Sequence, residues 1–178
     1  MFEAIEPGKA DYWDVVQKMQ AKGIEVLHFG GFPHEAGLII RQAREHGYAL
    51  QLLAGDGINS EDFGLIAGPA SDGTLMTDTP IADPRNPAVV ELQRKFPHLS
   101  RPPVRIYSAF QTWAQAVEIA GSFDTKAVAE ALRTHEFNTV LGRIGFDAKG
   151  DVTGYETFVW SVWKDGKFAP VETGKLTE

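Results

Sequence analysis

An α/β protein built on a parallel sheet is what this sequence predicts, and three observations carry that reading. Short apolar runs of strand length stand at residues 24–29, 48–53 and 73–77. Between the first two lies a segment whose apolar residues recur at helical spacing. Each run is joined to the next element by a few residues rich in glycine. Strand, helix, strand, helix, strand with short connections is the βαβ pattern, and parallel strands covered on both faces read as nearly continuous apolar runs.

The elements follow in order. FEAIEPG opens the chain as a short strand closed by a Pro-Gly turn. Asp11 is placed to cap a helix whose apolar residues Tyr12, Val15, Val16 and Met19 fall on one face, and Gly23 stops it. The run at 24–29 is the second strand. A helix over 35–46 carries Ala36, Ile39, Ile40 and Ala43 at the same spacing and ends at Gly47, ahead of the third strand at 48–53. A short helix over 60–67 and a strand over 73–77 complete this part. The character then changes: TPIADPRNP holds three prolines in nine residues, which suits an extended crossing segment and marks a lobe boundary. Beyond it come a helix over 87–96, a proline-rich break at PHLSRPP, a long helix over 104–120 and a helix from an Asp124 cap to about residue 135. The remainder is β: NTVLG, then RIGFDAKGDV with a Lys-Gly turn, then TFVWSVWKDGKFAPV with an Asp-Gly hairpin turn.

Composition narrows the function. With 178 residues, 43% of them apolar and 23% charged, the chain has the makings of one sizeable core or two small lobes, and it is far from the composition of a disordered segment. A net charge of −7 argues against a phosphate backbone as partner, so nucleic acid is not expected. The absence of cysteine removes disulfides and thiolate metal sites. No window reaches the roughly 18 to 20 apolar residues of a membrane span, and the acidic start MFEAIEPGKADYW does not read as a signal peptide.

Other constellations fail. Gly55 and Gly57 lack the third glycine of a dinucleotide fingerprint, and His34-Glu35 has no second histidine four residues on. Asp147, Asp151 and Glu156 invite a calcium loop, but Lys149 and Val152 stand where an acid and the turn glycine belong, leaving a hairpin turn. No Gly-x-Ser-x-Gly elbow exists, and no nucleophile, base and orienting group assemble, so neither an enzyme nor a cofactor is expected. The histidines are scattered at helix ends and loops, and the tryptophans read as packing residues.

The sheet itself points to a site, because in open parallel sheets ligands bind outside the carboxyl ends of the strands. The second strand ends at Gly30-Gly31-Phe32 and the third at AGDG, so Phe32 and Asp56 are expected side by side on one rim. Glycines let backbone approach a ligand and the ring supplies a wall; the alternative is that Gly30 and Gly31 make a tight turn and Phe32 packs on the helix below.

The stretches IEVLHFGGFPHEAGLIIRQAREHG, LLAGDGINSEDF, VLGRIGFDAKGDVTG and WKDGKF, in this order and spacing, resemble the branched-chain amino acid branch of the type I periplasmic solute-binding proteins, the leucine/isoleucine/valine-binding family of ABC transporters. The resemblance implies a two-lobed α/β protein that closes on a small molecule, with this chain corresponding to its C-terminal half. It implies second-lobe residues 1–78 and 155–178, a first-lobe portion over 86–147, and hinge crossings near 76–84 and 150–155. Carried over by position, Phe32 lines the cleft behind Gly30 and Gly31, and Asp56 holds a ligand ammonium. Arg105 falls where an aromatic often stands; it either meets an anionic ligand group or sits at a solvated helix start. The implied role is an extracytoplasmic, periplasmic solute-binding component of an ABC importer, with a small-molecule ligand and a membrane permease as partners. The alternative is a ligand-sensing regulatory or receptor domain of the same fold. The apolar face Tyr107, Phe110, Trp113 and Val117 would lack its covering lobe, so a dimer or association with the missing N-terminal half is expected.

Overall fold

The computed structural model describes residues 1–80, 82–97 and 104–171. In chain order the elements are helix α1 (Trp13–Ala21), strand β1 (Val26–Phe29), α2 (Pro33–Glu45), β2 (Gln51–Ala54), α3 (Glu61–Ala67) and β3 (Leu75–Asp78). They continue with α4 (Pro87–Lys95), α5 (Val104–Ala120), α6 (Thr125–Thr134), β4 (Phe137–Thr139), β5 (Gly142–Phe146), β6 (Val152–Thr153), β7 (Val159–Lys164) and β8 (Lys167–Pro170). The chain forms two compact units, one of Met1–Thr79 with the described residues from Phe158 onward, the other of Pro80–Thr157.

The first unit is a five-stranded sheet in the order β1-β2-β3-β7-β8. The pairs β1–β2 and β2–β3 are parallel, whereas β3–β7 and β7–β8 are antiparallel. The sheet is therefore mixed, with its parallel part where the βαβ pattern predicts it. Asp165 and Gly166, both at positive φ, turn the β7–β8 hairpin, as the Asp-Gly pair leads one to expect. Helix α1 buries Val16 and Met19, and α2 buries Ala36, Ile39, Ile40 and Ala43; both meet Leu52, Phe63, Met76 and Trp163 in one continuous core.

Three sequence expectations shift, each for a visible reason. Strands β1 and β2 begin later than their apolar runs because Ile24 and Tyr48 are taken up in stopping helices: their N–H groups donate to the Met19 and Ala43 carbonyls after Gly23 and Gly47, both at positive φ. Asp11 lies one residue before the cap position, yet its carboxylate accepts the Trp13 N–H at 2.7 Å, so it still satisfies the first turn of α1. FEAIEPG keeps its Pro7-Gly8 turn, with the Gly8 N–H donating to Glu35 Oε1 at 3.0 Å, but Phe2–Ile5 joins no sheet ladder. No strand among the described residues lies beside it to supply the missing hydrogen bonds.

In the second unit, α5 and α6 pack around Ala116, Val128, Ala131, Phe137 and Ile144, next to the antiparallel β4-β5-β6 sheet. Asp124 caps α6 by accepting from Lys126 and Ala127 N–H. Two glutamines of α5 act as a substitute strand edge for β4: Gln115 both donates to the Asn138 carbonyl and accepts its N–H, and Gln111 accepts the Val140 N–H. A smaller cluster of Val89, Leu92, Val104 and Val140 holds α4. Along α5, Tyr107, Phe110 and Trp113 are exposed as expected, but Val117 is not; it packs against the Ala116 cluster, on the side of the helix that α6 covers. The break at PHLSRPP falls mostly outside the described residues.

Candidate functional site

Strands β1 and β2 run side by side with Phe29 opposite Ala54, so the chain leaves both at the same edge of the sheet. There β1 passes through Gly30 and Gly31 into Phe32, the N-cap of α2, and β2 passes through Gly55 into a short 3-10 turn over Asp56–Ile58. The two loops touch. A methyl group on Gly57 would stand 2.5 Å from the Gly31 carbonyl oxygen, and one on Gly31 would stand 2.7 Å from the ring of Phe29. Both glycines are required by this close approach. Gly30 differs, since a methyl there would meet nothing within 4 Å; its bare backbone faces open space.

Phe32 does not pack on the helix beneath it: the residue is 73% exposed, while its carbonyl accepts the Ala36 N–H as the first bond of α2. Asp56 is exposed too, and among the described residues its carboxylate has no hydrogen-bond or ion-pair partner. Its carbonyl accepts the Asn59 N–H at 3.0 Å, which fixes the turn that carries it. An aromatic face and an uncommitted carboxylate thus stand on two loops locked together through their glycines. Such a rim can hold a small cation against an apolar wall.

Sequence reasoning passed over the group that braces this rim. Asp78, at the end of β3, is buried, and its Oδ1 accepts from Asn59 Nδ2 at 2.5 Å and from the Thr79 N–H at 2.7 Å. Asn59 is three residues past Asp56, so the bond ties the Asp56 turn to the neighbouring strand. The available sign was an acid at the end of an apolar run, LMTD, where a buried charge needs dedicated donors.

Arg105 stands apart from these residues, in the second unit, as the second residue of α5 and half-buried. Its charge acts on Tyr155, whose phenol pKa is raised chiefly by burial and, less, by Glu156, while the Arg105 guanidinium draws it down. A freely solvated helix start does not describe it. The Asp147–Asp151 turn closes on itself, Asp147 Oδ1 accepting the N–H groups of Lys149 and Asp151. Among the described residues no three His, Asp or Glu side chains gather as metal ligands, and no helix is long and apolar enough to cross a membrane.

Comparison with known proteins gives a consistent result. The family model described as "Periplasmic binding protein" matches residues 2–167. The chain is 40% identical over 176 residues to Leu/Ile/Val-binding protein homolog 1 of Brucella suis, an alignment covering 94% of this chain and 47% of that protein. It is 35% identical over 173 residues to the leucine-, isoleucine-, valine-, threonine-, and alanine-binding protein of Pseudomonas aeruginosa, covering 93% and 45%. Among solved structures, the leucine binding protein LivK of Thermotoga maritima superposes with a TM-score of 0.76 at 27% identity, covering 94% of this chain and 49% of that one. The chain thus spans about half the length of the relatives it matches, which are named as binding proteins and not as enzymes.

Proposed function

This chain belongs to the periplasmic binding protein family, and from that premise we propose that it is part of an extracytoplasmic solute-binding protein serving an ABC importer, with an amino acid or close analogue as ligand. The observation that carries the proposal is the juxtaposition of the exposed Phe32 ring and the uncommitted Asp56 carboxylate on loops that meet at Gly31 and Gly57. Asp56 takes the ligand ammonium through a charge-assisted hydrogen bond, Phe32 covers its carbon skeleton, and the backbone at Gly30 admits it closely. Relatives named for leucine, isoleucine and valine support an aliphatic side chain. Arg105, if it contributes, adds a contact to an anionic group. Capture and delivery to a permease break no bond, which accords with the absence of a nucleophile–base pair in the sequence.

A thermal-shift series tests this reading, since a ligand that binds only the folded chain stabilises it by mass action. Leucine, isoleucine, valine, threonine and alanine are compared with isovalerate and isovaleramide, which lack the amine. The amino acids are expected to raise Tm in a saturable manner. Equal shifts from isovalerate, or none from any amino acid at millimolar concentration, overturn it.

A further inference from the structure

We propose that the space alongside β1 is a slot for one additional β-strand, supplied by the half of the family's length that this chain does not match. The inference rests on family membership and not on the amino acid reading.

A cavity of about 800 Å³ lies in the first unit. One wall is β1, from Val26 to Phe29, and another is the segment from Phe2 to Ile5, each contributing consecutive residues. Side chains of a strand alternate between faces, so a space bounded by every residue of a strand lies at its edge and not over one face. The sheet order agrees, since β1 is an outermost strand with β2 as its one neighbour. The direction of its free groups can be worked out. The Glu25 carbonyl accepts the Gln51 N–H at 2.9 Å, so the backbone groups of Glu25, Leu27 and Phe29 face β2. Those of Val26 and His28 then point into the cavity, where no ladder meets them.

The opposite wall explains itself by the same absence. Phe2–Ile5 has the sequence of a strand and no ladder, while Ile5 already leans on the core. Beneath the slot lie Met19 of α1 and Ile39 of α2, an apolar floor. Above it Phe2 is 94% exposed and Val26 52% exposed. One strand with an apolar face, laid between Val26–Phe29 and Phe2–Ile5, pairs with both, covers the floor and continues the sheet by two strands. A second copy of this chain is a poor fit, because its sheet edge would have to enter a space walled on both sides. The relatives offer a better source: the alignment to the Brucella suis protein leaves more than half of that protein unmatched, at 47% coverage.

The test mixes this chain with the separately produced portion of the Brucella suis homologue that lies outside the match, and follows amide hydrogen exchange residue by residue. Association is expected to slow exchange at Val26 and His28 at least tenfold and to protect residues 2–5, while Leu27 and Phe29, already bonded to β2, change little. His28→Pro removes an outward donor without touching the β2 ladder; it is expected to weaken association at least tenfold with an unchanged far-ultraviolet circular dichroism spectrum. The exchange pattern of the unsubstituted pair stands without that variant. No association, or association that protects α5 but leaves Val26 and His28 as they were, overturns the slot. Neither readout involves an amino acid, so its failure and that of the proposed function are distinguishable.

Discussion

The two units of this chain differ in how much of their own apolar surface they bury. In the first, two helices and a five-stranded sheet close over one continuous core with Trp163 at its centre, 1% exposed and edged by the Phe63 and Phe168 rings. In the second, three helices close over two small clusters, and α5 leaves Ile106, Tyr107, Phe110 and Trp113 turned outward, Trp113 at 48% exposure. Both units draw on the same aromatic-rich sequence. A tryptophan is therefore no guide to a core by itself; what counts is whether the elements that cover it belong to the same chain.

The most direct way to break this comparison is to truncate one tryptophan in each unit. Trp163→Ala opens a large cavity in the first core and is expected to cost about 3–5 kcal/mol, read from urea unfolding. Trp113→Ala removes a half-exposed ring and is expected to cost under about 1 kcal/mol. Equal losses would mean that α5 has a cover of its own and that the units do not differ in this way. A second pair of substitutions sharpens the contrast inside the first unit. Gly57→Ala drives a methyl against the Gly31 carbonyl, a backbone atom with little room to give, and is expected to cost about 1–3 kcal/mol. Gly30→Ala meets open space and is expected to stay within about 0.5 kcal/mol in stability. Thermal unfolding of the two variants side by side decides whether the rim is as tightly fitted as the geometry says.

What the sequence made legible follows the same division. Helices α1 and α2, their glycine stops and the parallel β1–β2–β3 order rest on periodicities within a few dozen residues, and the side chains at i, i+3 and i+4 are buried as the spacing requires. The strand starts were less legible, because Ile24 and Tyr48 look like strand residues and are spent on closing helices. Phe2–Ile5 was misread for a different reason: local pattern specifies a strand, but a strand exists only beside a partner. At the rim, Gly31, Phe32 and Asp56 announced themselves by following apolar runs. The Asn59–Asp78 brace did not, since its two halves are nineteen residues apart in sequence and nothing local links them.

The smaller effects concern binding, and they carry the comparison of the two units to function. Asp56 and Arg105 are the candidate charges, one in each unit, and their surroundings differ: Asp56 is exposed with its carboxylate uncommitted among the described residues, whereas Arg105 is half-buried with its charge already acting on Tyr155. An uncommitted carboxylate has its whole interaction to give to a ligand, and a charge-assisted hydrogen bond contributes on the order of 1.5–3 kcal/mol. Asp56→Asn keeps the shape and removes the charge, so leucine affinity measured by calorimetry is expected to fall roughly 10- to 100-fold, at about 1.4 kcal/mol per decade. A guanidinium engaged within its own unit has less to give, and an aliphatic ligand has no anion at its far end to meet it. Arg105→Ala is therefore expected to change leucine affinity by less than about threefold. The same variant assayed with glutamate separates the alternatives, because a carboxylate at the end of the ligand side chain is the group a guanidinium would pair with. A large loss for glutamate with none for leucine makes Arg105 a contact that selects anionic ligands. A large loss for leucine makes it a contact to the part common to every amino acid, the carboxylate. That outcome would divide the recognition of the ligand's two charges between the two units, with the ammonium on Asp56 and the carboxylate on Arg105.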